Sequence, residues 1–214
     1  LINTNTLSAS GANGVAISAN GLIGTVTNSG SLVAAQGTAI SVGTAGGISN
    51  ITNQAGGVIR GGGASGTGTA IDNSAGSVAM TIDNLGTIVG AIKQGSGADV
   101  LNIGTGATVV GSIVGQVGAG GIVNLSPGAS TSYSLAAGGI SNVATVNILN
   151  GTLVANSGSS VTGASLLSVA SGSTLVANTN IGANTLNNAG AVNLGTNSIA
   201  LTGGYTQSST GKLN

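Results

Sequence analysis

Cysteine, histidine, tryptophan and phenylalanine are absent from this chain, proline occurs once, and only six of its 214 residues carry charge. Each absence removes a class of function. With no His or Cys, and with Asp72, Asp83 and Asp99 as the only carboxylate side chains, no zinc site, thiol nucleophile or Ser/His/Asp triad can be assembled. Arg60, Lys93 and Lys212 bring the net charge to zero, so the cationic footprint of a nucleic-acid binder is missing. Tyr133 and Tyr205, the only aromatics, cannot form base-stacking platforms. Neither a cofactor nor a nucleic-acid partner is expected. No apolar run approaches the roughly 18 residues of a membrane-spanning helix, and the aromatic girdles of a transmembrane barrel are lacking. The opening LINTNTLSAS has no basic head or apolar core of a signal peptide, so it reads as a processed chain or an excised fragment. Without disulfides, stability must come from packing and backbone pairing, which also suits a chain that crosses a narrow pore unfolded.

The chain is rich in glycine, with 41 residues, and 41% of it is apolar. A positive mean hydropathy of +0.49 argues against disorder, which combines low hydrophobicity with high charge. The apolar residues are Val, Ile, Leu and Ala, which suit pleated surfaces, and Gly, Asn, Ser and Thr supply turns. That is an all-β composition.

A phrase recurs: VLNIGTGATVV at Val100 to Val110, IVNLSPGAS from Ile122, VNILNGTLVA from Val146 and LLSVASGSTLVA from Leu166. Taking Gly86, Gly106, Gly128, Gly151, Gly172, Gly190 and Gly211 as register marks gives separations of 20, 22, 23, 21, 18 and 21 residues. A period near 21 predicts a solenoid. Five and three residues before four consecutive marks stand Leu101 and Ile103, Val123 and Leu125, Val146 and Ile148, Leu167 and Val169. Strand side chains alternate faces, so if these pairs point inward the residues between them, Asn102, Asn124, Asn147 and Ser168, form an outward column. Ile88, Val109, Leu153, Leu175, Val192 and Leu213 form a second inward column.

Residues 1–80 repeat less regularly. VTNSGSLVAA, ITNQAGGVIRG, IDNSAGSVAM and IDNLGTIVGA share an apolar, polar, Asn opening and a Gly-led second run. Gly61 to Ala70, GGGASGTGTA, is expected to protrude as a loop, and the Ile71 and Ile82 phrases to be two strands of a single coil. Glycine every few residues disfavours helix. The whole chain, 1–214, is therefore expected to be a single parallel β-helix of about ten rungs, roughly 48 Å long at about 4.8 Å per rung.

Phrases such as VNILNGTLVANSGSSVTG and VASGSTLVANTNIGANTLNNAGAVNLG, with the closing TGGYTQSSTGKLN, resemble the passenger domains of autotransporters, the type V secreted proteins of Gram-negative bacteria. The resemblance covers the whole chain in composition and residues 80–214 in pattern. It implies a right-handed β-helix, export through an outer-membrane barrel following in the parent protein, and display or release at the cell surface. It implies an adhesin-like or self-associating role without enzymatic activity, since enzymatic members carry separate catalytic modules. The partner would be a second copy or a cell-surface ligand.

Four candidate sites come from the residues themselves. Gly97, Asp99 and Leu101 touch a calcium-binding nonapeptide pattern, but one Asp cannot supply six to eight oxygens, and a Gly/Asp turn is the plainer reading. Asp72 and Asp83 could pair as in β-helical polysaccharide-cleaving enzymes, or be solvated or turn-capping carboxylates. An ice-binding face would need a Thr-x-Thr column at the repeat spacing, and none is seen. The column Asn102, Asn124, Asn147 and Ser168 is either a wet exterior or a neutral hydrogen-bonding strip for self-association, which a net charge of zero favours. A spacer or end-to-end filament subunit is the alternative.

Overall fold

An extended chain presents alternate side chains to opposite sides, so each apolar, polar, apolar phrase becomes a strand with one dry face. The computed structural model describes residues 1–63 and 68–214, and in it these phrases stack as a parallel β-helix of about nine turns. One turn shows the plan. Val100–Ile103 lies on the first face, Thr108–Val110 on the second and Ile113–Val114 on the third, after which the chain rises to Ile122–Leu125, directly above Val100–Ile103. Every turn pairs in parallel with the turns above and below. Among the described residues the first face is an eleven-stranded sheet, the third a seven-stranded sheet and the second two five-stranded sheets.

Three aliphatic columns fill the interior. On the first face Val26, Ile51, Ile82, Leu101, Val123, Val146, Leu167 and Leu186 are successive register partners, none more than 2% exposed. On the third face Ile17, Ile40, Ile71, Ile92, Ile113, Ile140 and Val161 are likewise successive register partners, all buried. The second face supplies Ile88, Val109, Leu153, Leu175 and Val192, all inward as the repeat predicts, while Leu213 in the last turn is half exposed. Each such burial contributes on the order of 1.5 to 3 kcal/mol.

The less regular first third has a structural cause. Its turns are long: Asn28 and Asn53 stand in register 25 residues apart, and Asn53 and Asn84 31 apart, against 22 and 23 for the Asn102–Asn124 and Asn124–Asn147 steps. Between Asn28 and Asn53 the extra length lies in longer strands, Ser31–Ala34, Thr38–Val42 and Gly47–Asn53, against Thr108–Val110, Ile113–Val114 and Ile122–Leu125 in the later turn. Residues 64–67 of the expected loop lie outside the described residues. Its last two residues correct the expectation: Thr69 and Ala70 begin the strand Thr69–Asp72, and Ala70 is fully buried. Ile71 and Ile82 occupy the third and first faces of the circuit that runs from Ile71 up to its partner Ile92.

The Asn openings of that region point inward. Asn3 Nδ2 donates to Asn28 Oδ1, Asn28 to Asn53 and Asn53 to Asn84, each at 2.8 Å. Asn28 also donates to the carbonyls of Gly30 and Val58, and Asn53 to those of Gly57 and Thr87. This ladder turns the corner from first to second face, replacing with side-chain amides the backbone partners that a corner removes. Ile103, stacked on Asn84, ends it. Leu125, Ile148 and Val169 continue the same column with aliphatic side chains, until Asn188 follows above Val169.

The second face breaks once. Thr108–Val110 closes one of its sheets and Ser132–Ser134 opens the other, after a corner, 126–131, that carries the only proline. Tyr133 turns its ring inward there, 6% exposed and in register with Leu153. Burial pushes its hydroxyl well above the usual phenol range, and a hydrogen bond with the Val109 backbone offsets only part of that.

Candidate functional site

The four residues of the expected outer column come together as the repeat predicts. Asn102, Asn124, Asn147 and Ser168 are successive register partners on the first face, each half-buried between fully buried neighbours. Asp83 stands below Asn102 and Asn187 above Ser168. Their geometry adds something the repeat alone does not carry. Asn147 Nδ2 donates to Asn124 Oδ1 at 2.8 Å, Asn124 to Asn102 at 2.8 Å and Asn102 to the Asp83 carboxylate at 2.7 Å. The column is a second ladder, on the outside, running down to a single negative charge.

Chemically the ladder fixes the amides rather than consuming them. Each amide has two N–H donors and two acceptor lone pairs, and the ladder takes one of each at Asn102 and Asn124 and one donor at Asn147. Asn102, Asn124 and Asn147, each partly exposed, repeat at the spacing of the turns. The strip is neutral above Asp83, rigid and regular, so its side chains lose little further entropy on meeting a partner.

The other candidates resolve into structural roles. Asp99 is 1% exposed and accepts from Asn73 Nδ2 at 2.7 Å, Gly95 N at 2.7 Å and Met80 N at 2.9 Å. Its oxygens are taken by N–H donors that hold a long corner together, so the nonapeptide pattern is a turn here. Among the described residues no three His, Cys, Asp or Glu side chains gather as a metal site would require. Asp72 and Asp83 do not converge: Asp72 lies on the third face and Asp83 on the first. Asp72 accepts from Ser74 N and Oγ and pairs with Lys93 Nζ at 3.1 Å. Burial works to raise its pKa, but the Ser74 hydrogen bonds and the Lys93 charge outweigh it and hold the carboxyl below its ordinary value.

One surface was not isolated from the repeat. Outward positions of the second face carry Thr87, Thr108, Thr152 and Thr174 in one rank and Val110, Val154 and Val176 in another, with Val89 buried in its place below Val110. The signal was present in GTIV, ATVV, GTLV and STLV, phrases that serve to place the inward residue between each Thr and Val. The rank is interrupted by Ser132 and Ser134 where the face breaks, so no continuous Thr column forms.

No protein-family model matches the chain, and neither a curated protein nor a solved structure matches it. Among the described residues no helix is long and apolar enough to cross a membrane, which leaves β-barrel segments unaddressed.

Proposed function

We propose that this chain is a non-enzymatic rod that acts at the surface of a Gram-negative cell, in the manner of the autotransporter passengers it resembles, by associating with copies of itself or with a cell-surface ligand. The observation that carries the reading is the outer ladder of Asn102, Asn124 and Asn147, a row of pre-oriented, uncharged hydrogen-bonding groups. A rod of zero net charge has no long-range repulsion to keep copies apart. Contacts along such a strip are individually weak, since the Trp, Tyr and Arg that anchor most interfaces are almost missing. Many rods on one surface multiply them through avidity. Export would run through an outer-membrane barrel belonging to the parent protein.

Sedimentation equilibrium of the wild-type chain and of Asn124→Lys tests the proposal. Concentration-dependent side-by-side dimers in the wild type, abolished by the lysine with the circular-dichroism spectrum unchanged, support it. A wild-type chain that stays monomeric at every concentration overturns it, and fibres one rod wide point to the filament reading instead.

A further inference from the structure

The sequence holds three Asn-Gly pairs, Asn13–Gly14, Asn20–Gly21 and Asn150–Gly151, all with the Asn exposed, and the fold treats them differently. We propose that Asn150–Gly151 is a self-modification site, at which the Gly151 amide nitrogen closes on the Asn150 side chain. A bond forms between Gly151 N and Asn150 Cγ as the nitrogen gives up its proton, and the side-chain amide departs as ammonia. Water then opens the resulting succinimide at either carbonyl, leaving an aspartyl or isoaspartyl linkage. Water is the only co-reactant.

The geometry selects this pair. The reaction needs a free backbone N–H after the Asn, a side chain at liberty to fold back, and no side chain on the following residue. Gly14 N is held by Gly11 O at 2.8 Å, closing its own turn, so the nucleophile at Asn13 is occupied. Among the described residues Gly21 N makes no backbone hydrogen bond, but Asn20 Nδ2 donates to Ser18 Oγ at 3.3 Å, and its Oδ1 lies against Gly43, 2.7 Å from where a Cβ would stand. At the third pair the corner is pinned only at its flanks, by Leu149 N to Leu125 O and Thr152 N to Thr131 O, both at 2.9 Å. Between those anchors neither Asn150 nor Gly151 donates a backbone hydrogen bond among the described residues. Other corners close on themselves, as Ala170 O does with Ser173 N at 3.0 Å and Asn156 O with Ser159 N at 2.9 Å. This one is an open bend.

The product matters because the rod is neutral, with three cationic and three acidic side chains. One conversion leaves it with a net negative charge, placed three residues after Asn147 at the edge of the first face. The isoaspartyl form also adds a methylene to the main chain of the corner that stacks over Pro127 and Gly128.

The test is independent of any reading of function. The folded chain and a urea-unfolded sample are held at neutral pH and physiological temperature, and fragments from a nonspecific protease are weighed for the gain of about one dalton that replaces an amide by an acid. In the folded chain Asn150 is expected to convert about tenfold faster than Asn13, whose hydrogen bond must open first, with Asn20 between them. In the unfolded chain the three are expected to converge, and Asn150→Gln is expected to remove the signal from its fragment without changing the fold. Conversion of Asn13 as fast as Asn150 in the folded chain, or an Asn150 that stays intact while the unfolded chain reacts, overturns the proposal.

Discussion

Asn53 Nδ2 donates to Asn84 Oδ1 across one full turn of the rod, 2.8 Å apart, with both side chains cut off from solvent. The same Asn53 amide also reaches two carbonyls and receives Asn28 from below, so its loss strands partners on both sides. Asn53→Ala is expected to destabilise the rod by about 2 to 4 kcal/mol, because each stranded buried group costs on the order of 1 to 3 kcal/mol. Asn188 makes the contrast. Val169 stands beneath it instead of an amide, and among the described residues its Oδ1 is buried without a partner and it donates only to Lys212 O. Asn188→Val extends the aliphatic column and removes the orphan, so its stability should stay within about 1 kcal/mol of wild type. Urea unfolding of the two variants compares them directly.

The outer ladder predicts a different pair of outcomes. Val146 is fully buried and Asn147, the next residue, faces out. Val146→Asp places an unpaired carboxylate in the aliphatic column and should cost more than about 4 kcal/mol, enough to unfold the turns around it. Asn147→Asp removes the donor to Asn124 Oδ1 and sets two acceptors face to face, at a cost of about 1 kcal/mol with the fold retained. Far-ultraviolet circular dichroism separates the two. Equal loss of structure would contradict the inside and outside assignments.

Those assignments were legible because period two within a strand and a period near 21 between strands act together. Leu101, Val123, Val146 and Leu167 align on the repeat alone, and they stack. The third face was not legible. Its strands after Thr69–Asp72 are only two or three residues long, and although Gly90, Gly111 and Gly138 stand two residues before Ile92, Ile113 and Ile140, Ser159 holds that place before Val161 and the steps between these inward residues vary from 21 to 27. The inner ladder was half legible. The apolar, polar, Asn opening was visible at residues 26–28, 51–53 and 82–84, and alternation puts that Asn on the same face as the buried Val or Ile two places before it, but the usual outward preference of polar residues masks the signal. The outer column was placed correctly by alternation, while its hydrogen bonding depends on side-chain rotamers that alternation does not specify.

Acid should act on the third face through Asp72. Its carboxyl ordinarily titrates near 3.8, and in the folded rod it is held lower. A group whose folded pKa is depressed adds stability that is fully present above its unfolded value and is lost as pH falls through the folded one. Asp72→Asn should therefore be less stable than wild type at neutral pH, with the gap narrowing below about pH 3.8 and closing at still lower pH. Because Lys93 and Asp72 are partly solvent-exposed, added salt should shrink the neutral-pH gap as well. Thermal midpoints across the pH series give the comparison.

Two glycines with similar backbone angles should respond very differently to alanine. Gly172 has φ +79° in a corner where an added methyl group would meet nothing within 4 Å, so Gly172→Ala carries only the left-handed backbone penalty of about 1 to 2 kcal/mol. Gly139 has φ +60°, and a Cβ there would collide with Ser160 O in the turn above. That carbonyl belongs to the stacked backbone, and Ile140 N donates to it at 3.0 Å, so it cannot retreat without breaking the pairing of Ile140 with Val161. Gly139→Ala should therefore cost several kcal/mol more than Gly172→Ala, by the sum of backbone strain and a lost rung contact. Hydrogen exchange would locate the damage: fast exchange at Ile140 and Asn142 in Gly139→Ala, against protection preserved there in Gly172→Ala.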